Sequence, residues 1–245
     1  MSNTIIIIPT RLEAKRLPNK PLLKINNKPM IIHVIERARE SNVGEVIVAT
    51  PDDEIAEIVT KNSCRAIITS KSHNTGTDRI HEALQKLSTK DIDIVINLQG
   101  DMPNLDGENI KTLNFLMKKN KCKVGTLASK IQNKEELENK NIVKVETFEE
   151  LNHSNFLRVK DFFREAKGII QKNVYHHIGI YAFTKDLLLK YVKLKRTSNE
   201  IERNLEQLRI MDNKIEIYVS LTKSLPLSVD TKEEFLLIKK TMEYK

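Results

Sequence analysis

Between residues 8 and 22 the chain reads IPTRLEAKRLPNKPL, gathering Arg11, Lys15, Arg16 and Lys20 behind an apolar run. Arginine forks onto two oxygens of an oxyanion and lysine acts as a point charge, so such a cluster suits a polyanion. The same cations on a solvated loop need no ligand, and spacing alone leaves both readings open. Two carboxylates stand in comparable places. Asp101 follows a glycine in NLQGDMP (97 to 103), and Asp230 precedes Thr231 in SVDTKEE (228 to 234). Each also reads as a routine turn or cap residue. Two strand-end carboxylates beside a cationic loop nonetheless form a set suited to Mg²⁺-assisted transfer on a nucleotide, the metal bridging phosphate oxygens while cations offset charge. NTGTDR (74 to 79) adds Gly76, which permits close backbone approach, with donors at Thr75, Thr77 and Arg79. A capped helix start accounts for that segment nearly as well.

Other chemistries lack their signatures. Neither G-x-G-x-x-G nor G-x-x-x-x-G-K-[ST] occurs, so the dinucleotide and P-loop fingerprints are missing. The net charge of +8 admits nucleic acid, anionic lipid or a polyanionic small substrate. Its lysines are scattered, however, and the denser KKNKCK (118 to 123) and KLKR (193 to 196) carry no interleaved aromatics for base stacking. They read as solvated helix ends, and no nucleic-acid partner is expected. Cys64 and Cys122 lie far apart without C-x-x-C, which suggests neither a disulfide framework nor a zinc cluster. No apolar stretch approaches the roughly 20 residues that span a bilayer, and the start lacks a signal-peptide pattern. A cytoplasmic protein with no membrane partner is expected.

The elements that must position these residues follow from the apolar pattern. TIIIIP (4 to 9), EVIVAT (45 to 50), AIIT (66 to 69) and DIVINL (93 to 98) are short β-branched runs of the kind buried on both faces of a parallel sheet. Between them lie helical periods at 29 to 41, where Ile31, Val34, Ile35 and Ala38 form one stripe, at 52 to 62 and at 78 to 87. Alternating strand and helix predicts a doubly wound, mostly parallel Rossmann-like α/β sheet, whose ligands sit outside the carboxyl ends of the strands. The loop after residue 9 falls at that edge. Further on, 122 to 131, 174 to 183 and 214 to 221 read as strands. NIVKVETF (141 to 148) alternates like a half-exposed strand, and 149 to 172 resists assignment. Helices are expected at 185 to 194, 199 to 211 and 231 to 244. With 7 Gly, 7 Pro and no linker-like tract, the chain reads as a single domain over 1–245 with a β-rich insertion near 130 to 180.

These segments together resemble the 3-deoxy-D-manno-octulosonate (KDO) cytidylyltransferase family. The resemblance runs from Ile7 to Ala38, through TGTDR (75 to 79) and NLQGD.P (97 to 103), to H.GIY (177 to 181), LEQLR (205 to 209) and VDT.E (229 to 233). It covers nearly the whole chain and implies a nucleotidyltransferase fold in which CTP and KDO, an acidic eight-carbon sugar, give CMP-KDO and pyrophosphate for lipopolysaccharide. Carried over residue by residue, Pro9, Arg11, Arg16, Lys20, Thr75, Gly76, Arg79, Gln99 and Asp101 would bind CTP. Arg16, Lys20, Asp101 and Asp230 would form the catalytic set, with Asp101 and Asp230 holding Mg²⁺. Gln99, Arg158, His177, Tyr181, Glu206 and Gln207 would meet the sugar acid, with the insertion serving the sugar and a homodimer contact.

The chain also departs from the family pattern. Met102 stands where glutamate is usual, the F-S-R-x-x-I-P segment is reduced to FLRVKDFFRE (156 to 165), and SLPLS (224 to 228) replaces a glycine-bearing turn. A close relative of KDO such as its 8-amino form, a nine-carbon sialic-type acid, and a noncatalytic basic nucleic-acid-binding protein are the alternatives.

Overall fold

The computed structural model describes residues 3–13, 16–87, 91–165, 172–222 and 225–243, so Lys15 of the cationic loop and Ser224 of SLPLS lie outside the described residues. The chain divides into two compact units, Met1–Asn114 with Leu225–Lys245, and Phe115–Ser224. Among the described residues no helix is long and apolar enough to cross a membrane.

The first unit runs β1 (Asn3–Pro9), a short hairpin of β2 (Lys24–Ile25) and β3 (Lys28–Pro29), α1 (Met30–Glu40), β4 (Gly44–Thr50), α2 (Asp53–Lys61), β5 (Arg65–Ile68), α3 (Gly76–Gln85) and β6 (Ile92–Asn97). Its main strands lie in the order β5-β4-β1-β6 and all three pairings are parallel, as the alternating pattern predicts. Ile7 stands opposite Ile47 on one side and Asn97 on the other. Ile5 to Ile8 are buried in succession, the continuous run expected of a strand covered on both faces. The chain winds outward from β1 to β5, then returns through α3 to β6 on the far side of β1. That reversal leaves a crevice beyond the carboxyl ends of β1 and β6, where a doubly wound sheet receives its ligand.

Two features of this unit lie outside the sequence reading. The helix α4 (Gly107–Asn120), within which the boundary between the units falls, was not anticipated. Phe115 is exposed on it while Asn109 and Asn114 are buried, so its polarity pattern is inverted at those positions. Buried Asn114 is satisfied by the Thr4 hydroxyl at 2.8 Å. The helix α3 begins at Gly76, two residues earlier than expected, which makes Thr75 its N-cap. The unit is completed by a C-terminal helix (Lys232–Glu243), capped by Thr231 as expected: Glu234 N donates to Thr231 Oγ1, and Glu234 accepts from the backbone of Asp230 and Thr231.

The second unit comprises β7 (Val124–Ser129), α5 (Lys134–Glu138), β8 (Lys144–Thr147), β9 (Leu157–Phe163), β10 (Val174–Thr184), α6 (Lys185–Tyr191), α7 (Ser198–Arg203), α8 (Leu208–Asp212) and β11 (Tyr218–Leu221); the C-terminal helix is α9. Its strands follow the order β10-β7-β11-β9-β8, and β8 pairs back onto β10, so the five strands form a closed ring of pairings. Only β7 and β11 run parallel.

Two expectations are corrected here. The run 199 to 211 is not one helix: Asn204 takes a left-handed conformation (φ 51°) and separates α7 from α8, a role for which asparagine is suited. Strand β8 is not half exposed, since all four of its residues are buried, Lys144 included. The Lys144 ammonium donates to the carbonyls of Asn139, Ile142 and Arg164 at 2.6, 3.0 and 2.8 Å. Burial pulls its pKa down and Arg164 adds to the effect. The unassigned stretch contains β9, and β11 begins at Tyr218, four residues later than expected.

The close approach of β1 and β4 yields a test. A Cβ at Gly44 would lie 1.8 Å from the Thr4 carbonyl oxygen, so an alanine there must push the two strands apart. Gly44→Ala is expected to lower stability by about 2–3 kcal/mol, the scale of overpacking, as read by urea unfolding. An unchanged midpoint would refute this account of the pairing.

Candidate active site

One apolar cluster aims the cationic loop. Leu17 packs against a buried group of Ile25, Met30, Val229 and Ile238. The loop is closed by Asn19 N donating to Leu12 O at 3.2 Å, with Asn19 in the left-handed region, and Leu12 N donates to Asp52 at 2.7 Å. With Leu17 anchored and Pro21 buried, Arg16 and Lys20 are left to face the crevice. Val229 belongs to the same cluster and its N–H donates to the Asp101 carbonyl at 3.0 Å, so one core seats Asp230 as well.

The crevice is a cavity of about 520 Å³. Pro9, Arg11, Arg16, Lys20, Thr75, Gly76, Arg79, Gln99, Asp101 and Asp230 all line it, so the whole expected nucleotide and metal set is brought together. Lys20 is the centre of the arrangement. Its ammonium donates to Asp101 Oδ2 at 2.8 Å and to Asp230 Oδ1 at 3.1 Å, while Arg16 pairs with Asp230 Oδ2 at 2.8 Å. Burial pulls the Lys20 pKa down, but the charge and hydrogen bond of Asp101, then those of Asp230, outweigh it and hold it above the ordinary value. The ammonium therefore stays charged.

Arg79 is only 3% exposed and donates to Thr69 Oγ1 at 2.6 Å and to the Ser70 carbonyl at 3.1 Å, both neutral acceptors. Burial lowers its pKa and the charge of Arg11 lowers it further. The carboxylates of Asp52 and Glu82 offset part of this cost. Thr75 caps α3, accepting from Asp78 N at 3.1 Å and donating to Asp78 Oδ2 at 2.9 Å. At Gly76 a Cβ would come within 3.2 Å of the Pro9 ring, and at Gly100 within 3.1 Å of Thr10 Cβ. Both glycines let loops meet at the cavity floor. Gln99 is oriented by its Nε2 donating to Asn97 Oδ1 at 2.7 Å.

The sequence reading missed His73, Asn74, Thr10, Glu13, Leu17 and Gly100, which also line the cavity. His73 pairs with Glu82, whose carboxyl is held down at about 2, first by its hydrogen bond with Lys86. Their place next to TGTDR and just past β1 was the available signal.

A metal can be tested against the donors present. Asp101 Oδ1 is buried and has no hydrogen-bond partner, an expensive state for a carboxylate oxygen. Asp101 and Asp230 share one ammonium, so their carboxylates converge. Two carboxylates with room for phosphate oxygens and water is the usual protein share of a Mg²⁺ site. The described residues hold no cluster of three or more candidate metal-ligating side chains, and the two aspartates fit magnesium on those terms.

The residues expected to meet the sugar acid divide differently. Gln99 lies in the first unit's cavity, and the others belong to the second unit. His177 Nε2 meets Thr126 Oγ1 at 2.9 Å, and its ring contacts Phe162 and Tyr181 at 5.0 and 5.3 Å. Tyr181 OH is buried without a partner; burial, then Tyr191 and Glu206, raise its pKa well above the ordinary value. Glu206 is thus in electrostatic reach of Tyr181, and Gln207, its chain neighbour, is buried at the start of α8. Arg158 stands apart: it is exposed, pairs with Glu216 at 2.9 Å and covers the Phe148 ring.

A parallel sheet with a cation-lined cavity at its switch point, holding two convergent carboxylates, defines an α/β nucleotidyltransferase. The chain belongs to the cytidylyltransferase family, whose profile it matches over residues 5–217. A 3-deoxy-manno-octulosonate cytidylyltransferase of Brucella canis is 39% identical to it over 232 residues, 94% of this chain and 92% of the relative. The solved structure of a CMP:2-keto-3-deoxy-manno-octonic acid synthetase complexed with CTP superposes with a TM-score of 0.89 at 35% identity, covering 99% of both chains. A UTP-bound UGPase from Acinetobacter baumannii shares the fold alone, at 11% identity and a TM-score of 0.71 over 98% of this chain and 93% of that one.

Two outcomes follow from this geometry. Lys20→Ala leaves the Asp101 and Asp230 carboxylates without their shared cation, and is expected to lower stability by about 1–2 kcal/mol, discounted for partial exposure. Millimolar MgCl₂ should then raise the variant's melting temperature more than the parent's; equal shifts would remove the aspartates from the metal role. His177, fully buried, has its pKa lowered by burial, then by His176, to about 3 from 6.5. The folded imidazole takes its proton far below the pH at which the unfolded one does. Its contribution to stability is therefore complete above pH 6.5 and lost as pH falls towards 3, at up to about 1.4 kcal/mol per pH unit. Chemical denaturation from pH 7 to 4 should show a shallower loss in His177→Gln.

Proposed function

We propose that this protein transfers the cytidylyl group of CTP to 3-deoxy-manno-octulosonate, giving CMP-KDO and pyrophosphate. The observation that carries the reading is the cavity in which Arg11, Arg16, Lys20 and Arg79 face Asp101 and Asp230 at the carboxyl ends of β1 and β6. The 39% identity to curated enzymes of that name along almost the full chain supports it. Lipopolysaccharide synthesis follows from the product.

In this reaction a sugar hydroxyl oxygen bonds to the α-phosphorus as the bond to the pyrophosphate oxygen breaks, with no covalent enzyme intermediate. Positioning and charge stabilisation suffice. Arg11 and Arg16 supply forked donors to the triphosphate, and Lys20, whose charge its aspartate partners support, offsets the charge that builds on the α-phosphate and the departing pyrophosphate. Thr75, Gly76, Arg79 and Gln99 line the side given to cytosine. Asp101 and Asp230 would hold Mg²⁺, which when bound neutralises phosphate oxygens and favours ionisation of the attacking hydroxyl. His177 serves as a neutral hydrogen-bonding group, and Tyr181, Glu206 and Gln207 complete the sugar-acid set. From the resemblance we also carry over a homodimer working in the cytoplasm, where CTP is made.

Pyrophosphate release from CTP is expected with KDO in a panel that includes its 8-amino analogue and a nine-carbon sialic-type acid, and EDTA should abolish it. Preference for the nine-carbon acid would overturn the KDO assignment. No turnover with any sugar acid, together with salt-dependent RNA binding, would point to the nucleic-acid alternative. Asp101→Asn should lower kcat roughly 100-fold or more with the fold intact by circular dichroism. Full activity in that variant would take Asp101 out of the reaction.

A further inference from the structure

We infer that the buried Glu200–Arg209 ion pair is a positioning device for the sugar acid, holding the corner that presents Glu206 and Gln207. The inference rests on the functional reading above, which gives those two residues to the sugar.

The corner has little backbone support of its own. Helices α7 and α8 have six and five residues, far below the length at which a helix sustains itself in water. Between them Asn204 is left-handed and Leu205 N reaches back to Glu200 O at 3.2 Å. Side chains do the rest. Arg209 forks onto Glu200, Nε to Oε2 at 2.7 Å and Nη2 to Oε1 at 2.6 Å, with both residues buried. Arg196 Nε adds a bond to Glu200 Oε1 at 3.0 Å. One carboxylate at the start of α7 is thereby tied to a guanidinium in α8, across the corner.

The same guanidinium carries the effect further. Its central carbon lies 4.8 Å from the Tyr191 ring centroid, and Tyr191 OH donates to the Glu206 carbonyl at 3.0 Å. Tyr191 stacks on Phe183, and Phe183 on Tyr181, with centroids 6.2 and 5.8 Å apart. A single row therefore runs from the ion pair to Glu206 on one branch and to Tyr181 on the other. Lysine cannot reproduce it, because it has neither the planar fork nor the stacking face. A pair kept only for stability would have no need of the Tyr191 link.

The test is the steady-state kinetics of pyrophosphate release in the parent, Arg209→Lys and Tyr191→Phe, with CTP and KDO each varied. Arg209→Lys should raise the KM for KDO about 10-fold, and Tyr191→Phe a few-fold, while the KM for CTP stays within about 2-fold in both. An unchanged KM for KDO in folded Arg209→Lys, or parallel rises in both KM values, would overturn the inference. If Arg209→Lys does not fold, Tyr191→Phe decides, since it lacks one hydroxyl and keeps the stack; an unchanged KM for KDO there overturns it. A parent enzyme that turns over CTP with another acid but not with KDO would instead sink the functional reading.

Discussion

The site depends on one nitrogen. Lys20 Nζ holds Asp101, 81 residues away in sequence, and Asp230, 210 away, so three distant segments converge on a single ammonium. Opposite charges at hydrogen-bond distance offset the burial of each, and removing any member would expose the others to an uncompensated charge. The knot is secured from behind by the apolar cluster that includes Leu17 and Val229, the chain neighbours of Arg16 and Asp230. Hydrophobic packing sets where the chain goes, and electrostatics sets what the exposed side of that packing can bind.

Much of the first unit was legible because parallel strands buried on both faces leave an unambiguous mark: TIIIIP cannot be placed on a surface. Once the alternation of strand and helix was read, the switch-point rule located the cavity, and residues just past each strand became site candidates. Asp230 was the least visible of them. It lies well past the end of β11 and doubles as a residue preceding a capped helix, so only long-range packing brings it to Lys20. Helix α4 was illegible for a different reason. Phe115 points to solvent while Asn109 and Asn114 are buried, which disguises its period.

The second unit was harder for physical reasons of its own. In β8 a lysine reads as marking the solvent face, yet it is buried and satisfied by three carbonyls, something no local pattern announces. The 199–211 run keeps a helical period straight through Asn204, although asparagine at that point was a recognisable stop signal. Closure of the five strands into a ring depends on the pairing of β8 with β10, a tertiary choice rather than a propensity.

The two sets proposed for the substrates are built on different principles, and the proposed ligands account for the difference. The set proposed for the nucleotide gathers arginine and lysine side chains around the cavity, because a triphosphate is recognised mainly through charge. The set proposed for the sugar acid includes groups that burial keeps neutral: His177 cannot take a proton near pH 7, and the Tyr181 hydroxyl keeps its own. Such groups discriminate hydroxyls by hydrogen-bond geometry, which demands rigid placement rather than strong fields. That requirement is met by the row of stacked rings from Tyr181 to Tyr191 and by the ion pair at its end. The charges of Glu200 and Arg209 are spent on each other, so they stiffen the unit without competing for an anionic ligand.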